Sequence, residues 1–448
     1  MNQPVTLPLW AFVLIVLFAA VTFASHFLFP SVRWFFRKRA ERLVARLNTR
    51  LQRPIEPFKL ARRYDMIQRL LYDPAITRAV LDHAKEHNVP ENVAFEQARR
   101  YAREIVPSFS ATAYFTVGMR LARWLSRMLY RVRLGAFDRD ALESLDKDAT
   151  VIFVMNHRSN MDYVLVTHLV SRASALSYAV GEWARVWPLS GIIRAMGAYF
   201  IRRRSRTALY RSILARYVQM ATEGGVTQAI FPEGGLSLNG QVGRPKLGLL
   251  NYIISNFEDG GRDVIFVPVA LNYDQVIEDR FLIKAGRDGR RRFRPPTWTI
   301  IKSVATYFWR RMTGQFQGFG TATVAFATPL ALSSYGRRDG LTEDVAETLM
   351  ARIRSVVPVL ATPLVARAMV HHNAWTREEL TVVMAEMLAQ LEAKKMPLPR
   401  RNIPALIDDT IARFTLRKLI KEEAGRFHPE NDGAEVLAYY AETIAHHF

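Results

Sequence analysis

The sequence predicts an α/β chain: a mostly parallel sheet flanked by helices, with an N-terminal transmembrane helix and additional helical regions at both ends. Three observations carry this. Four short apolar runs, each closed by Pro, Gly or Asn, begin at Ala149 (ATVIFVMNH), Val226 (VTQAIFPEGG), Asp263 (DVIFVPVALNY) and Ala322 (ATVAFATPLAL). Helix-length segments separate them, the alternation expected of a parallel sheet covered on both faces. A long uncharged stretch stands ahead of everything else.

That stretch, Pro8 to Phe29, holds 22 residues without Asp, Glu, Lys or Arg. At about 1.5 Å per residue it is about 33 Å long, enough for a hydrocarbon core of about 30 Å. A cleaved signal peptide is the competing assignment, opposed by the lack of positive charge before the run and by the run's length. Seven basic residues follow (Arg33, Arg37, Lys38, Arg39, Arg42, Arg46, Arg50) against the single acid Glu41. The positive-inside rule then places residues after about 31 on the cytoplasmic side, with Trp34, Phe35 and Phe36 at the interface.

Four regions are expected: an anchor over 1–30, a basic and mainly helical membrane-proximal region over 31–140, an α/β catalytic domain over 141–333, and a helical region over 334–448. Within the second, Pro54, Pro57, Pro74 and Pro90 punctuate a helical pattern. Between Ala111 and Leu134, apolar and aromatic residues interleave with Arg120, Arg123, Arg127, Arg131 and Arg133, the pattern of a basic amphipathic helix. Two placements fit it: the surface of an anionic bilayer, or the main domain with the basic face in solvent. The basic loop Lys284–Pro296 has six cations and suits a headgroup or an acidic protein surface, or is a solvated insertion.

Composition narrows the chemistry. Lys and Arg number 62 against 41 Asp and Glu in 448 residues, a net charge of +21 that favours anionic partners. Of these cations 51 are Arg and 11 are Lys, which fits phosphate-reading guanidinium groups and equally an arginine-biased genome. Cysteine is absent, so disulfides, thiolate nucleophiles and Cys-ligated metals are excluded. No metal site or cofactor is expected. A spanning anchor and the lack of a binding motif argue against nucleic acid.

The chemistry centres on Asn156-His157-Arg158-Ser159-Asn160-Met161-Asp162. His157 ends a predicted strand. If the loop turns into a helix just after it, Asp162 curls back to bond one imidazole nitrogen and leaves the other as a base. An ordinary imidazole titrates at about 6.5, which makes such a base available near neutrality. On spacing alone, a loop histidine satisfied by a nearby carboxylate is the commoner explanation. Its company strengthens the catalytic one. Gly197-Ala198-Tyr199-Phe200-Ile201-Arg202-Arg203-Arg204 offers a turn followed by fixed cations, and Phe231-Pro232-Glu233-Gly234-Gly235-Leu236-Ser237 ends a strand in a glycine turn whose amides can meet an anion. Arg244 and Lys246 add two cations, and Val267-Pro268-Val269-Ala270-Leu271-Asn272-Tyr273 closes the next strand.

Together and in this order, these four motifs resemble the glycerolipid acyltransferase family, and within it most nearly the glycerol-3-phosphate acyltransferase branch. The resemblance covers about residues 150 to 280. It implies that His157 is the general base and Asp162 its orienting partner. Arg202 would bind the acceptor phosphate, Glu233 and Gly234 would shape the acceptor site with Ser237, and Pro268 would lie on the acyl-donor side. One departure stands out: the branch usually has arginine on either side of the motif serine, where this chain has Leu236 and Leu238. Arg244 and Lys246 are the cations placed to compensate, since a dianionic phosphate wants several charge-assisted bonds.

The implied reaction takes an acyl group from acyl-CoA or acyl carrier protein as co-substrate, with no cofactor, and gives it to glycerol 3-phosphate. Lysophosphatidate or another lysophospholipid is the alternative acceptor, favoured by the missing arginines and opposed by the first two motifs. A non-catalytic protein binding anionic lipid is the more distant alternative. The expected location is a bacterial inner (cytoplasmic) membrane, with the catalytic domain on the cytoplasmic face of an anionic phospholipid bilayer.

Overall fold

The computed structural model describes residues 8–49, 51–170, 174–181, 189–202, 207–258, 260–289, 318–372, 374–399, 402–430 and 432–448, without the side chains of 21, 23–34, 36, 37, 40 and 189. Two compact units result, 1–55 and 56–448. In the first, Pro8 stands just ahead of a helix of 40 residues, Leu9–Asn48. Leu9, Trp10, Phe12, Leu14, Leu17 and Phe18 are exposed along it. Among the described residues no helix is long and apolar enough to cross a membrane. Much of the expected anchor, including most side chains of its second half, lies outside the described residues.

The second unit is built on an eight-stranded sheet: β1 (Arg131–Leu134), β2 (Thr150–Met155), β3 (Ser177–Gly181), β4 (Tyr199–Ile201), β5 (Gln228–Ile230), β6 (Val264–Tyr273), β7 (Thr321–Phe326) and β8 (Leu330–Ala331). The spatial order is β1-β7-β6-β2-β5-β3-β4, with β8 also on β6. Strands β6, β2, β5, β3 and β4 are mutually parallel, whereas β7 and β8 run antiparallel to β6. All six residues of β2 and all ten of β6 are buried, as their unbroken apolar runs require.

The period of two along β2 divides the core. Val151, Phe153 and Met155 join one hydrophobic cluster, which takes in the helix Met161–Val170 and C-terminal residues such as Leu364, Met384, Ile411 and Val436. Ile152 and Val154 join the other, with Leu70, Val80 and Ala98 of the N-terminal helices and Ile213 and Ile353. The N-terminal helices, joined by the helix Leu341–Ser355, thus cover one face, and the helices from Ala361 onward cover the other.

Three sequence expectations change. The helix expected over 111–134 is a π-helical turn, Ala113–Gly118, and an α-helix, Met119–Leu129. It stops because Tyr130 is buried, donates its hydroxyl to the Gln275 carbonyl at 2.9 Å and takes an extended conformation that leads into β1, whose Val132 pairs with Ala322 of β7. The run from Ala322 makes two strands rather than one, both antiparallel to β6. Tyr199–Ile201, expected as part of a turn, is the edge strand β4. Arg203, Arg204 and the basic loop from 290 onward lie outside the described residues.

Candidate active site

Strand β2 lies centrally in the sheet, and the chain leaves its carboxyl end through residues 156–160 into the helix Met161–Val170. Ligand sites of parallel sheets form beyond such ends. Asn156 extends the strand with its side chain, accepting from the Leu271 amide at 2.7 Å and donating to the Leu271 carbonyl at 3.0 Å. This clamp fixes where His157 begins.

The helix starts soon enough for Asp162, in its first turn, to face back on the loop. Asp162 Oδ2 lies 2.9 Å from His157 Nδ1 and also accepts the backbone amides of Arg158 at 2.7 Å and Ser159 at 3.1 Å. Its Oδ1 accepts the Tyr273 hydroxyl at 2.5 Å. An ionised carboxylate only accepts, so the network assigns the proton to Nδ1 and the lone pair to Nε2. Nε2 has no hydrogen-bond partner among the described residues. The imidazole stacks on Phe231, centroids 4.0 Å apart, and meets the edge of Tyr163 at 5.5 Å. His157 is 2% and Asp162 0% exposed, so their interaction is little screened by water.

Two buried carboxylates hold the loop from outside. Glu233 accepts the His157 amide at 2.9 Å through Oε1 and the Gly243 amide at 3.0 Å through Oε2. Ser237 donates its amide to the His157 carbonyl at 2.9 Å. Glu278 accepts the Ser159 hydroxyl at 2.8 Å and, on its other oxygen, the Asn160 side-chain and backbone amides at 3.0 and 3.2 Å. Burial pushes both carboxyls above the ordinary range, against the pull of Arg158 on Glu233 and of the Ser159 and Asn160 bonds on Glu278.

A carboxyl whose folded pKa is raised contributes stability that is present below its unfolded pKa and lost as pH rises through the folded one. Glu278→Gln keeps the shape and removes the buried charge. Its melting temperature relative to the wild type should therefore climb as pH rises above about 4.5, and parallel curves for the two proteins would refute this.

The other expected site residues divide. Gly234 has φ +66°, and a Cβ there would fall 2.8 Å from Lys246 Cδ and 3.2 Å from Nζ. Lys246 therefore crosses the glycine turn closely enough to bring its ammonium there. Arg244 is exposed next to Gly243. Leu236 and Leu238 are partly buried and packed against the core cluster of the catalytic face. Pro268 pairs with Val154 of β2, just short of the loop. Its missing N–H falls where the outer neighbour of β6 changes from β8, paired at Ile265 and Phe266, to β7, paired from Val269.

Arg202 shares the carboxyl edge but stands at the end of β4, three strand spacings or about 14 Å from β2. Its guanidinium forms a two-pronged pair with Glu104, at 2.8 and 2.7 Å, over the rings of Tyr101 and Tyr210.

Sequence reasoning assigned no role to Tyr273, Glu278 or Arg158. Arg158 is 1% exposed; its Nη2 reaches the Thr443 carbonyl at 3.4 Å, while Nε and Nη1 have no hydrogen-bond partner in the described structure. Away from this site, His83, Glu86 and His87 have ligand atoms within 4.8 Å of one another and could hold a metal ion.

The chain is also similar to known proteins. The family model "Acyltransferase" matches residues 138–272, and "Glycerol-3-phosphate acyltransferase C-terminal region" matches residues 309–448. A glycerol-3-phosphate acyltransferase of Shewanella loihica is 26% identical over 407 residues, 88% of this chain and 48% of that one. One from Pasteurella multocida is 25% identical over 430 residues, 87% of this chain and 51% of that one. The chain thus spans about half the length of these curated relatives. The crystal structure of the 1-acyl-sn-glycerophosphate (LPA) acyltransferase of Thermotoga maritima aligns over 53% of this chain and 75% of that one, at 21% identity and a TM-score of 0.32.

Proposed function

The chain belongs to the glycerolipid acyltransferase family, and from that premise we propose that it is a glycerol-3-phosphate 1-O-acyltransferase of phospholipid biosynthesis, with His157 as its general base. The observation that carries the proposal is the buried His157–Asp162 pair, 2.9 Å long, with Nε2 left over as the proton acceptor. In this mechanism Nε2 takes the proton of the acceptor hydroxyl as the oxygen attacks the thioester carbonyl. The imidazolium that forms is stabilised by Asp162. The Gly234 amide is spent on the Phe231 carbonyl at 3.0 Å, so the Gly235 amide, with the Lys246 ammonium nearby, would meet negative charge on the carbonyl oxygen or the acceptor phosphate. On collapse the thiolate leaves, and the proton held by His157 is available to it. The co-substrate is acyl-CoA or acyl carrier protein, both anionic and suited to a basic surface.

A second reading takes lysophosphatidate as acceptor, and one observation favours it: Leu236 and Leu238 present apolar, core-packed side chains where the branch usually carries cations. Purified protein supplied with acyl-CoA or acyl carrier protein and either acceptor separates the two. Product from glycerol 3-phosphate upholds the proposal, product from lysophosphatidate alone replaces it with the second reading, and product from neither leaves a lipid-binding protein.

Membrane attachment belongs to the same proposal: an N-terminal anchor through the Leu9–Asn48 helix, with the catalytic unit on the cytoplasmic face of the inner membrane. On the helix Met119–Leu129, Leu121 and Trp124 are 49% and 54% exposed beside the exposed Arg120, Arg123 and Arg127. Such a face suits the headgroup region of an anionic bilayer. With residues 1–55 removed, co-sedimentation with vesicles containing anionic lipid should fall about tenfold or more for the double variant Leu121→Glu, Trp124→Glu. Unchanged sedimentation would reject this contact.

A further inference from the structure

We propose that Tyr273 is a positioning residue of acyl transfer, acting through Asp162 to hold the carboxylate in the plane and orientation that His157 needs. The inference rests on His157 being the base and adds a member that no recognised motif role contains.

Asp162 is fully buried, and its two oxygens are served unequally. Oδ2 accepts three donors, from His157, Arg158 and Ser159, all on the loop that the carboxylate must orient. Oδ1 accepts one, the Tyr273 hydroxyl, which comes from the end of β6. The three loop donors orient the carboxylate through Oδ2 alone and belong to the segment it has to order. The Tyr273 hydroxyl holds the other oxygen from a different element, so the carboxylate is referenced to β6 as well as to its own loop. Tyr273 is itself fixed, since its strand position pairs with Ala322 and its ring packs against Tyr130 at a centroid distance of 5.2 Å.

Burial and the adjacent carboxylate push the Tyr273 phenol well above its ordinary range, so it remains an O–H donor. Without it Oδ1 would be a buried carboxylate oxygen with no partner, a costly state that a rotated Asp162 would relieve. A hydrogen bond to Oδ1 also draws charge away from Oδ2, which tempers the stabilisation of the imidazolium. The ionisable groups facing this assembly are Arg158 on the loop, Glu233 after β5, Glu278 after β6, Tyr130 ahead of β1, and Tyr439 in the C-terminal region. Tyr273→Phe leaves all of them in place.

For Tyr273→Phe the expected result is a fall in kcat of about 10- to 100-fold, with the acceptor KM within about threefold of wild type. The acid limb of the kcat/KM profile should be displaced from its wild-type position, because the carboxylate beside the imidazole changes its orientation and its hydrogen bonding. A residue acting only on folding would move neither. In an Asp162→Asn background the same change should cost less than about threefold, since coupled residues are not additive.

Modification of His157 by diethyl pyrocarbonate, located by peptide mass spectrometry, reads the same pair without turnover. Its pH profile should be displaced in Tyr273→Phe. An unchanged kcat, an unchanged labelling profile, or equal losses in the wild-type and Asp162→Asn backgrounds would overturn the proposal. A wild type that transfers no acyl group while Tyr273→Phe still displaces the labelling profile would instead fault the proposed reaction.

Discussion

Replacing His157 with alanine is expected to lower kcat by about 10²- to 10⁴-fold, the range that one positioned general base supplies. The geometry leaves little to substitute for it. Glu233 spends both oxygens on the backbone amides of His157 and Gly243, and Glu278 spends both on Ser159 and Asn160. Neither is free to take a hydroxyl proton at the position of Nε2. The variant should still fold, because the amide of residue 157 keeps its bond to Glu233, and Arg158 and Ser159 keep theirs to Asp162. Its substrate KM values should change little, since the imidazole acts on the reacting proton rather than on the remote parts of either substrate. Thermal melting and membrane recovery equal to wild type would establish the fold, and a timed acylation assay the rate. Wild-type turnover in a folded His157→Ala protein would remove the base from the mechanism altogether.

What the sequence made legible follows contact range. His157 and Asp162 are five residues apart at a strand-to-helix junction, so local chain geometry was enough to bring them together. The strands β2 and β6 were equally plain, because a strand buried on both faces has to be a continuous apolar run. Tyr273 lies 111 positions from Asp162, and Glu278 lies 119 from Ser159. No spacing rule relates such residues; only the parallel pairing of β2 with β6 does.

The same cause explains the helix that ended early. Arg131-Val132-Arg133-Leu134 continues the arginine spacing of the preceding helix, but it alternates equally well as a strand, and β7, nearly 190 positions downstream, decides the matter by pairing with it. Arg202 shows the opposite failure. Its residue type and position suggested an anion site, and nothing in the local sequence announced that Glu104, 98 positions earlier, would engage both prongs of its guanidinium. A phosphate at Arg202 would have to displace or share that carboxylate.

Asparagine in place of Asp162 is expected to cost about 10²- to 10³-fold in kcat, the range for losing one electrostatic stabiliser, and alanine more. Three donors meet at Oδ2 and one hydroxyl at Oδ1, so an asparagine has one good orientation. Its carbonyl oxygen takes the Oδ2 place and its NH₂ faces Tyr273, whose hydroxyl can turn from donor to acceptor. The proton on His157 Nδ1 is then kept, and what disappears is the negative charge beside the imidazolium of the transition state. Alanine removes the charge and the acceptor together. It leaves the amides of Arg158 and Ser159 buried without a partner, each at a cost of about 1–3 kcal/mol, and it frees the imidazole to turn. Activity should therefore rank wild type, Asp162→Asn, Asp162→Ala, with a depressed melting temperature mainly in the last. If Asp162→Asn kept the wild-type kcat, the charge would be irrelevant and Asp162 would serve only to tie the loop. If it fell as far as alanine while melting normally, orientation of the imidazole would depend on the charge itself.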